Sequence, residues 1–245
     1  MKFSHLRRLY ITNMLSDVPI FLTKEQVHYL TNVLRLKNGD LFKVWNEASG
    51  EYLAKLNILS KKACAVELVE CLRRPLTLPY LGLAQSIIKN DRMVQALDMA
   101  TQIGVTEIFP IISKRSQSQK INSDRIERCL IEAAEQSERL CLPSLKKTIS
   151  LEYFLESENL AKSFDMIIYA NEQEGRNHTV ANIKTIPDRV LVVIGPEGGF
   201  TDAELEILKA CSNAVSVSLG STILRSETAA IALLSQIQLL RNVEK

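Results

Sequence analysis

The sequence predicts an α/β protein in which a small β-rich unit, residues 1–74, precedes a larger domain, residues 75–245. Extended apolar runs joined by turns dominate the first part, whereas strand patterns alternate with helix patterns from residue 80 onward. Strands and helices that alternate along a chain build a mostly parallel sheet covered by helices on both faces. Between the two parts, "RRPLTLP" carries Pro75 and Pro79, which interrupt any regular element.

Turn residues divide the first 74 residues into a helix and three strands. The segment "TKEQVHYLTNVLRL" suits a short helix that starts near Thr23, and "KNGD" is a turn. The segment "LFKVWNEASGEYLAKLNIL" has two extended runs around a turn at Ala48, Ser49 and Gly50, which indicates a hairpin. A further strand, "ACAVELVEC", follows, and together these elements suit a compact, barrel-like unit.

The larger domain opens with the strand "YLGLAQSII" and the helix "DRMVQALDMATQIG", for which Asp91 is a candidate N-cap and Gly104 a stop. The strand "VTEIFPII", the helix "DRIERCLIEAAEQS" and the strands "FDMIIYA", "RVLVVI" and "AVSVSL" come next. Thr201 and Glu204 form a capping box for the helix "DAELEILKAC". Ser226 is expected to cap the final helix, which is rich in Ala and Leu.

Charge is distributed unevenly between the two parts. The net charge of the chain is +2, but residues 1–74 carry +5 and the remainder −3. A basic unit attached to a mildly acidic domain indicates either a nucleic-acid-binding appendage or ordinary surface variation. Five scattered cysteines and the absence of both a signal peptide and a membrane-length apolar run predict a cytoplasmic protein with reduced thiols, without metal or membrane partner.

Three loops follow strands of the predicted sheet, at the edge where ligands of such sheets bind. They are "NEQEG" (Asn171–Gly175), "GPEGGF" (Gly195–Phe200) and "LGSTILRSETAA" (Leu219–Ala230). The glycines of "GPEGGF" do not have the spacing of a dinucleotide-binding loop, and no lysine follows them as in a P-loop. Glu197 would also repel phosphate. The loop therefore suits an uncharged or cationic ligand, or it is a tight turn whose glutamate faces solvent.

The third loop places Arg225 and Glu227 near the start of the final helix. Glu227 interacts favourably with the helix dipole there, whereas Arg225 does not. An arginine at this position is either paired with a carboxylate or held for an anionic substrate such as an RNA phosphate.

Together, "IGPEGGFTDAE" and "SLGSTILRSETAA" resemble the signature of the SPOUT class of RNA methyltransferases, and more specifically the RsmE-type family. The segments "HYLTNVLRLKNGD", "GVTEIFPI" and "RIERCLIEAAEQS" extend the resemblance over nearly the whole chain. The resemblance implies a PUA-like β-barrel, residues 1–74, that binds RNA, and a SPOUT α/β domain, residues 75–245, with a C-terminal trefoil knot. It also implies S-adenosyl-L-methionine as cofactor, and methylation of N3 of a uridine in 16S ribosomal RNA, within the small ribosomal subunit. The family is typically homodimeric, and the final helix would supply the contact surface or simply pack in the core.

The resemblance also implies roles for particular residues. Arg225 would stabilise an anionic uracil oxygen or a phosphate, and Glu172 would act as the base or bind the cofactor. The expected cofactor pocket comprises Gly195, Glu197, Gly198, Leu219, Gly220 and Leu224. The expected RNA contacts, with solvated surface as the alternative, are Arg35, Lys89, Arg92, Lys114, Arg115 and Lys120.

The chain departs from the family pattern at three positions. Met99 and Gln102 stand where the family has a lysine and a glutamate, and Glu138 stands where it has a glycine after "EAAEQS". Two other functions remain open at this point. The chain would either be a SPOUT enzyme that methylates another RNA position, such as a ribose hydroxyl, or a non-catalytic RNA-binding or ribosome-assembly factor.

Overall fold

A computed structural model of the chain describes residues 3, 5–16, 19–60, 62–118, 120–156, 163–172 and 178–243. The chain divides into two compact units. The first comprises Met1–Thr77 together with Ala134–Leu142, and the second comprises Leu78–Ala133 and Pro143–Lys245. The segment Ala134–Leu142 therefore returns to the first unit from the middle of the sequence. No helix in the described part of the chain is long and apolar enough to span a bilayer.

The first unit is built on a five-stranded sheet with the strand order β1-β3-β4-β5-β2. Its elements are β1 (Arg8–Tyr10), β2 (Ile20–Phe21), α1 (Lys24–His28), β3 (Leu41–Asn46), β4 (Gly50–Ser60) and β5 (Ala63–Arg73). Strands β3, β4 and β5 pair antiparallel and form the long hairpins that the turn residues predict. Alternate residues of these strands, including Val44, Leu56 and Val66, are fully buried in one apolar core.

The helix expected near Thr23 is present and is fixed at its start by a capping box. The Thr23 hydroxyl accepts from the backbone N–H of Gln26, and the Gln26 side chain accepts from the backbone N–H of Thr23. Beyond α1 the chain forms a π-helical turn, Tyr29–Val33. Shortly after it, Arg35 adopts a left-handed backbone with φ +58°.

The second unit contains a sheet of seven described strands, and all of its pairings are parallel. The strand order is β12-β10-β11-β6-β7-β8, and β9 also pairs with β7. The strands are β6 (Tyr80–Ser86), β7 (Glu107–Ile112), β8 (Ser144–Leu145), β9 (Ile149–Ser150), β10 (Met166–Ala170), β11 (Arg189–Ile194) and β12 (Ala214–Val217). The helices are α2 (Asn90–Ile103), α3 (Ser123–Gln136), α4 (Leu151–Glu156), α5 (Asp202–Ala210) and α6 (Ser226–Val243). Five consecutive residues of β11, 190–194, are at most 1% exposed, so both faces of the sheet are covered at this strand.

Two of the expected helix caps differ from the structure. Helix α2 begins one residue before Asp91, and its N-cap is Lys89, whose side chain makes no capping bond; Asp91 lies in the first turn instead. Ser226 is the first residue of α6, and its hydroxyl bonds to groups outside the helix. The capping box of Thr201 and Glu204 at the start of α5 is confirmed.

The departure at Glu138 is explained by the end of α3. The N–H of Glu138 bonds to the carbonyl of Glu135, and that of Arg139 to the carbonyl of Ala134. This is a Schellman motif, in which the residue after the C-cap is left-handed and is usually glycine. Glu138 adopts φ +55°, and its carboxylate compensates by an ion pair with Lys43, with 3.2 Å between Nζ and Oε1.

Two arginines of the first unit hold this helix end. Arg8 donates to the carbonyls of Ala134 and Arg139, at 2.6 Å each, and Arg73 donates to the carbonyl of Glu138 at 2.8 Å. Glu51 lies between both guanidinium groups, 2.6 Å from Arg8 Nε and 2.8 Å from Arg73 Nε. Burial alone would raise the pKa of Glu51, but the hydrogen bonds and charges of the two arginines outweigh it and hold the pKa below its usual value.

The left-handed backbone at Glu138 predicts an order of stability among substitutions. Glu138→Ala loses the ion pair and keeps the steric cost, whereas Glu138→Gly loses the same ion pair but removes that cost. We therefore expect the glycine variant to exceed the alanine variant by about 1 kcal/mol in free energy of unfolding, measured by urea titration. Equal stabilities, or a more stable alanine variant, would contradict the conformational explanation.

Candidate active site

A cleft at the carboxyl edge of the second unit's sheet brings the three predicted loops together. The strands β10, β11 and β12 end side by side because β10 pairs with both of the others. Their following segments line the cleft with Asn171 and Glu172, with Gly195–Glu197, Gly199 and Phe200, and with 218–224. Residues 173–175 of "NEQEG" lie outside the described part of the chain. Arg115, Ser226 and Ala229 complete much of the wall.

Ser226 fixes the second loop to the sheet and to α6. Its hydroxyl donates to the carbonyl of Gly195 at 2.6 Å and accepts from Nε2 of Gln85 at 2.9 Å. Gln85 is fully buried at the end of β6, so its amide needs a partner inside the protein. One hydroxyl thus joins β6, the second loop and the first turn of α6.

One glycine and one serine determine the backbone conformation of the third loop. Gly220 adopts φ +124°, a conformation that other residues rarely adopt, and its missing Cβ would point into open space. Ser218 precedes it: its N–H donates to the carbonyl of His178 at 2.6 Å, and its hydroxyl donates to the carbonyl of Gly220 at 3.3 Å. Glycine is therefore required at position 220 by backbone conformation, not by crowding.

The charged groups at the cleft are mainly acidic. Glu172 and Glu197 both line it. Arg92 lies 3.8 Å from Oε1 of Glu197 and 3.9 Å from Oε1 of Glu227, so it links the second loop to α6. Arg115, the cationic residue among the described residues that line the cleft, bonds to backbone carbonyls. Carboxylates among uncharged walls suit a ligand that carries positive charge.

Five of the six predicted cofactor residues line the cleft: Gly195, Glu197, Leu219, Gly220 and Leu224. The sixth, Gly198, is covered by the Arg115 side chain, because a Cβ added at Gly198 would lie 3.3 Å from Arg115 Cδ. Of the two predicted catalytic residues, Glu172 lines the cleft. Arg225 is exposed and is not among the described residues that line the cleft. Its carbonyl accepts from the N–H of Ala229, as the carbonyl of an N-cap residue does.

The residues predicted to bind RNA fall into three groups. Arg35 is exposed in the first unit, and in the second unit Lys89, beside the start of α2, and Lys120 are exposed. Lys114 forms an ion pair with Glu152 at 2.9 Å, and the hydrogen bond and charge of Glu152 raise the pKa of Lys114. Arg92 and Arg115 contact groups of the protein around the cleft.

Sequence reasoning missed Ser226 and Arg115 as parts of the cleft. Ser226 matched the pattern of a helix cap, and that pattern gives no sign of bonds to Gly195 and Gln85. Arg115 stands in "SKRSQSQK", where a basic residue is most simply explained by solvent or RNA contact. At the altered positions, Gln102 is exposed and bonds to Asp98 one turn earlier, and Met99 is half-buried.

Comparison with known proteins identifies the family. A family model described as "RNA methyltransferase domain" matches residues 76–238, and one described as "RNA methyltransferase PUA domain" matches residues 22–69. The chain is 41% identical, over 237 residues and 95% of both chains, to ribosomal RNA small subunit methyltransferase E of Rickettsia conorii. This chain belongs to the methyltransferase E family.

Two solved structures agree with the membership of the methyltransferase E family. The Neisseria gonorrhoeae enzyme, bound to S-adenosylmethionine, has a TM-score of 0.85 with 26% identity, and the match covers 96% of this chain and 98% of that one. A putative methyltransferase from Legionella pneumophila, in complex with the same cofactor, has a TM-score of 0.86 with 27% identity over 96% and 97%. The predicted fold class, a PUA-like β unit and a SPOUT-type α/β domain, is confirmed, whereas the knot stays a prediction.

The bonds of Ser226 lead to a testable expectation. Ser226→Ala leaves the Gly195 carbonyl without this partner and removes one of two bonds of the Gln85 amide group, whose other bond goes to the carbonyl of Ser86. An unsatisfied buried group costs about 1–3 kcal/mol. We expect the free energy of unfolding, measured by urea titration, to fall by at least about 1 kcal/mol. Ser221→Ala, in the exposed part of the same loop, is the matched control and should stay within about 0.5 kcal/mol of wild type. If both variants are equally stable, Ser226 does not have this linking role.

Proposed function

We propose that the chain transfers a methyl group from S-adenosyl-L-methionine to N3 of a uridine in 16S ribosomal RNA. The observation that carries the proposal is the cleft itself. Three loops that include the family's two signature segments meet there, in a chain that belongs to the methyltransferase E family. The cofactor, when bound, supplies an activated methyl group on a positively charged sulfur.

The residues of the cleft fit such a cofactor by their chemistry. A sulfonium and an ammonium group favour carboxylates, and Glu172 and Glu197 are both at the wall. The uncharged backbone groups of Gly195, Leu219, Gly220 and Leu224 would hold the rest of the cofactor. Gly198, which the Arg115 side chain covers, would support the loop. The solved Neisseria relative binds S-adenosylmethionine, which supports the same assignment here.

Uridine N3 carries a proton, so methylation requires its removal and an aligned approach to the methyl group. Holding two reactants in line lowers the barrier by several kcal/mol, up to about 7–11 in well-oriented systems. We assign proton removal to Glu172, since a positioned base adds about 10²–10⁴-fold. Arg225, exposed beside the cleft residues Leu224 and Ser226, would stabilise the anionic uracil oxygen or an adjacent phosphate.

The RNA would be held mainly by cations that the protein does not neutralise internally. Arg35, Lys89 and Lys120 are exposed, and Lys114 has only an exposed ion pair, which is weak in water. Arg92 and Arg115 were predicted in the same role, and their contacts with protein groups make them the weaker candidates.

Further properties of the family complete the proposal. Residues 1–74 would form the RNA-binding domain and residues 75–245 the methyltransferase domain, whose last loops would form a trefoil knot. The crossover that returns β12 to the far side of β10 is compatible with such a path. We also propose a homodimer that acts in the cytoplasm on the assembled small subunit.

The acidic cleft predicts the effect of reversing one charge. Glu197→Lys should raise the dissociation constant of S-adenosylmethionine by at least about tenfold, because a cation would face the sulfonium. Isothermal titration calorimetry with the full chain measures this constant. Glu206→Lys, a reversal on the exposed face of α5, is the control for net charge and should bind like wild type. An unchanged affinity in Glu197→Lys would make Glu197 a solvent-facing turn residue.

The target atom can be tested in cells. Nucleoside mass spectrometry of small-subunit RNA from cells without this protein should show the loss of N3-methyluridine, and re-expression should restore it. Unchanged N3-methyluridine would overturn the proposed target, whereas the loss of a ribose methylation would favour the alternative SPOUT activity. Purified protein with naked RNA and with small-subunit particles would then show which form is methylated; faster methylation of naked RNA contradicts the assembled substrate.

A further inference from the structure

The turn after β7 contacts the second loop of the cleft and the helix α5 that follows it. Lys114 donates its backbone N–H to Oε1 of Glu204 at 2.7 Å. Arg115, the next residue, donates from Nη1 to the carbonyl of Gly198 at 2.7 Å and to that of Phe200 at 3.3 Å. One short turn therefore contacts both the glycine pair of the loop and the first turn of α5.

Glu204 makes the first of these contacts with one carboxylate oxygen and closes the capping box of α5 with the other. Its carboxylate is buried, and the residue is 2% exposed. Oε2 accepts from the N–H and the hydroxyl of Thr201, at 2.8 and 2.9 Å, which closes the capping box. Oε1 is directed at Lys114 instead. A capping box needs only one oxygen of its acidic residue, so the second oxygen is free to join α5 to the turn.

The turn has its own anchor in the sheet. Ser113, which directly follows β7, is 4% exposed. Its hydroxyl donates to Oγ of Ser86, on the neighbouring strand β6, at 3.0 Å. Its N–H donates to Oγ of Ser116 at 3.1 Å, so the turn is also closed on itself. The turn that carries Arg115 is therefore fixed to the sheet.

The shape of the loop matches the arginine. Gly198 has no side chain, and a Cβ there would lie 3.3 Å from Arg115 Cδ and 3.5 Å from its Cβ. The aliphatic part of Arg115 therefore covers Gly198, while its guanidinium donates to the carbonyls of Gly198 and Phe200. A planar guanidinium can donate to two carbonyls at once, which the ammonium of lysine does less well.

We propose that Arg115 and Glu204 are positioning residues of the cofactor site, which hold the "GPEGGF" loop in its binding conformation. This inference rests on the proposed function, and it gives Arg115 a role different from the RNA contact that its sequence context predicts. Neither residue takes part in the chemistry. Their contribution is that the loop loses little conformational freedom when the cofactor binds.

The test compares variants of the full chain by titration with S-adenosylmethionine in the absence of RNA. Arg115→Ala should raise the dissociation constant of the cofactor by about tenfold, with an intermediate value for Arg115→Lys, because the shorter lysine side chain keeps the positive charge but not the geometry of the guanidinium. Arg128→Ala is the matched control, since Arg128 also donates to a backbone carbonyl, on the exposed face of α3. It should bind the cofactor like wild type.

Glu204→Gln tests the second contact without breaking the capping box. The amide oxygen can still accept from Thr201, but its NH2 group then faces the N–H of Lys114, so a buried bond is lost. We expect a weaker cofactor affinity and a thermal midpoint lowered by about 2–4 °C, with the fold retained. If Arg115→Ala does not fold, Arg115→Lys and Glu204→Gln decide the question.

Steady-state kinetics separate this role from RNA binding. For a positioning residue, the KM for S-adenosylmethionine rises while kcat and the KM for RNA change by less than about threefold. A raised KM for RNA with unchanged cofactor affinity, or full recovery of RNA binding in Arg115→Lys, overturns the inference in favour of a phosphate contact. Wild-type affinity in all variants also overturns it. If the wild-type chain itself does not bind the cofactor, the proposed function fails together with the inference.

Discussion

The hydroxyl group of Ser226 links three segments that are far apart in the sequence. It donates to the carbonyl of Gly195 in the second loop, accepts from Gln85 at the end of β6, and belongs to the first turn of α6, directly behind the third loop. In a parallel sheet the loops at the carboxyl edge arise from separate crossovers, so a side-chain bond between two of them helps to fix their relative positions. Ser226 therefore holds the second loop against the start of α6.

The sequence allowed much of the fold to be predicted, because its principal elements depend on local patterns. The capping box of Thr201 and Glu204 and the buried strands before each loop follow from spacing and hydrophobicity. Asp91 shows the limit of such patterns, since α2 begins one residue earlier without a side-chain cap. The return of Ala134–Leu142 to the first unit depends on arginines more than 60 positions away, and no local pattern contains that information.

The site was predictable to a different degree for different residues. Glycines and the acidic residue of the second loop stood out because they break the rules of phosphate binding, and they line the cleft with one exception, Gly198. Arg225 and Arg115 illustrate the information that the sequence does not contain. Both are exposed basic residues in loops, but the guanidinium of Arg115 donates to two backbone carbonyls of the second loop. Only the three-dimensional arrangement separates a cation available to RNA from one that shapes the protein.

Glu138 shows how a departure from a family pattern can be accommodated locally. A left-handed position usually filled by glycine carries a glutamate here, and the ion pair with Lys43 compensates for part of the steric cost. The departure therefore concerns the end of α3 and gives no reason to doubt catalysis. The changes at Met99 and Gln102 likewise place no charge in the cleft, since neither residue is part of its described wall.

The central claim is that the second and third loops, which are far apart in the sequence, form one cofactor site. Hydrogen–deuterium exchange of the full chain, with and without S-adenosylmethionine, tests it directly. The account predicts that the cofactor slows exchange in peptides covering 194–200 and 218–224 together, and leaves the strands of the first unit unchanged. Protection confined to one of these loops, or protection centred on the first unit, would contradict it.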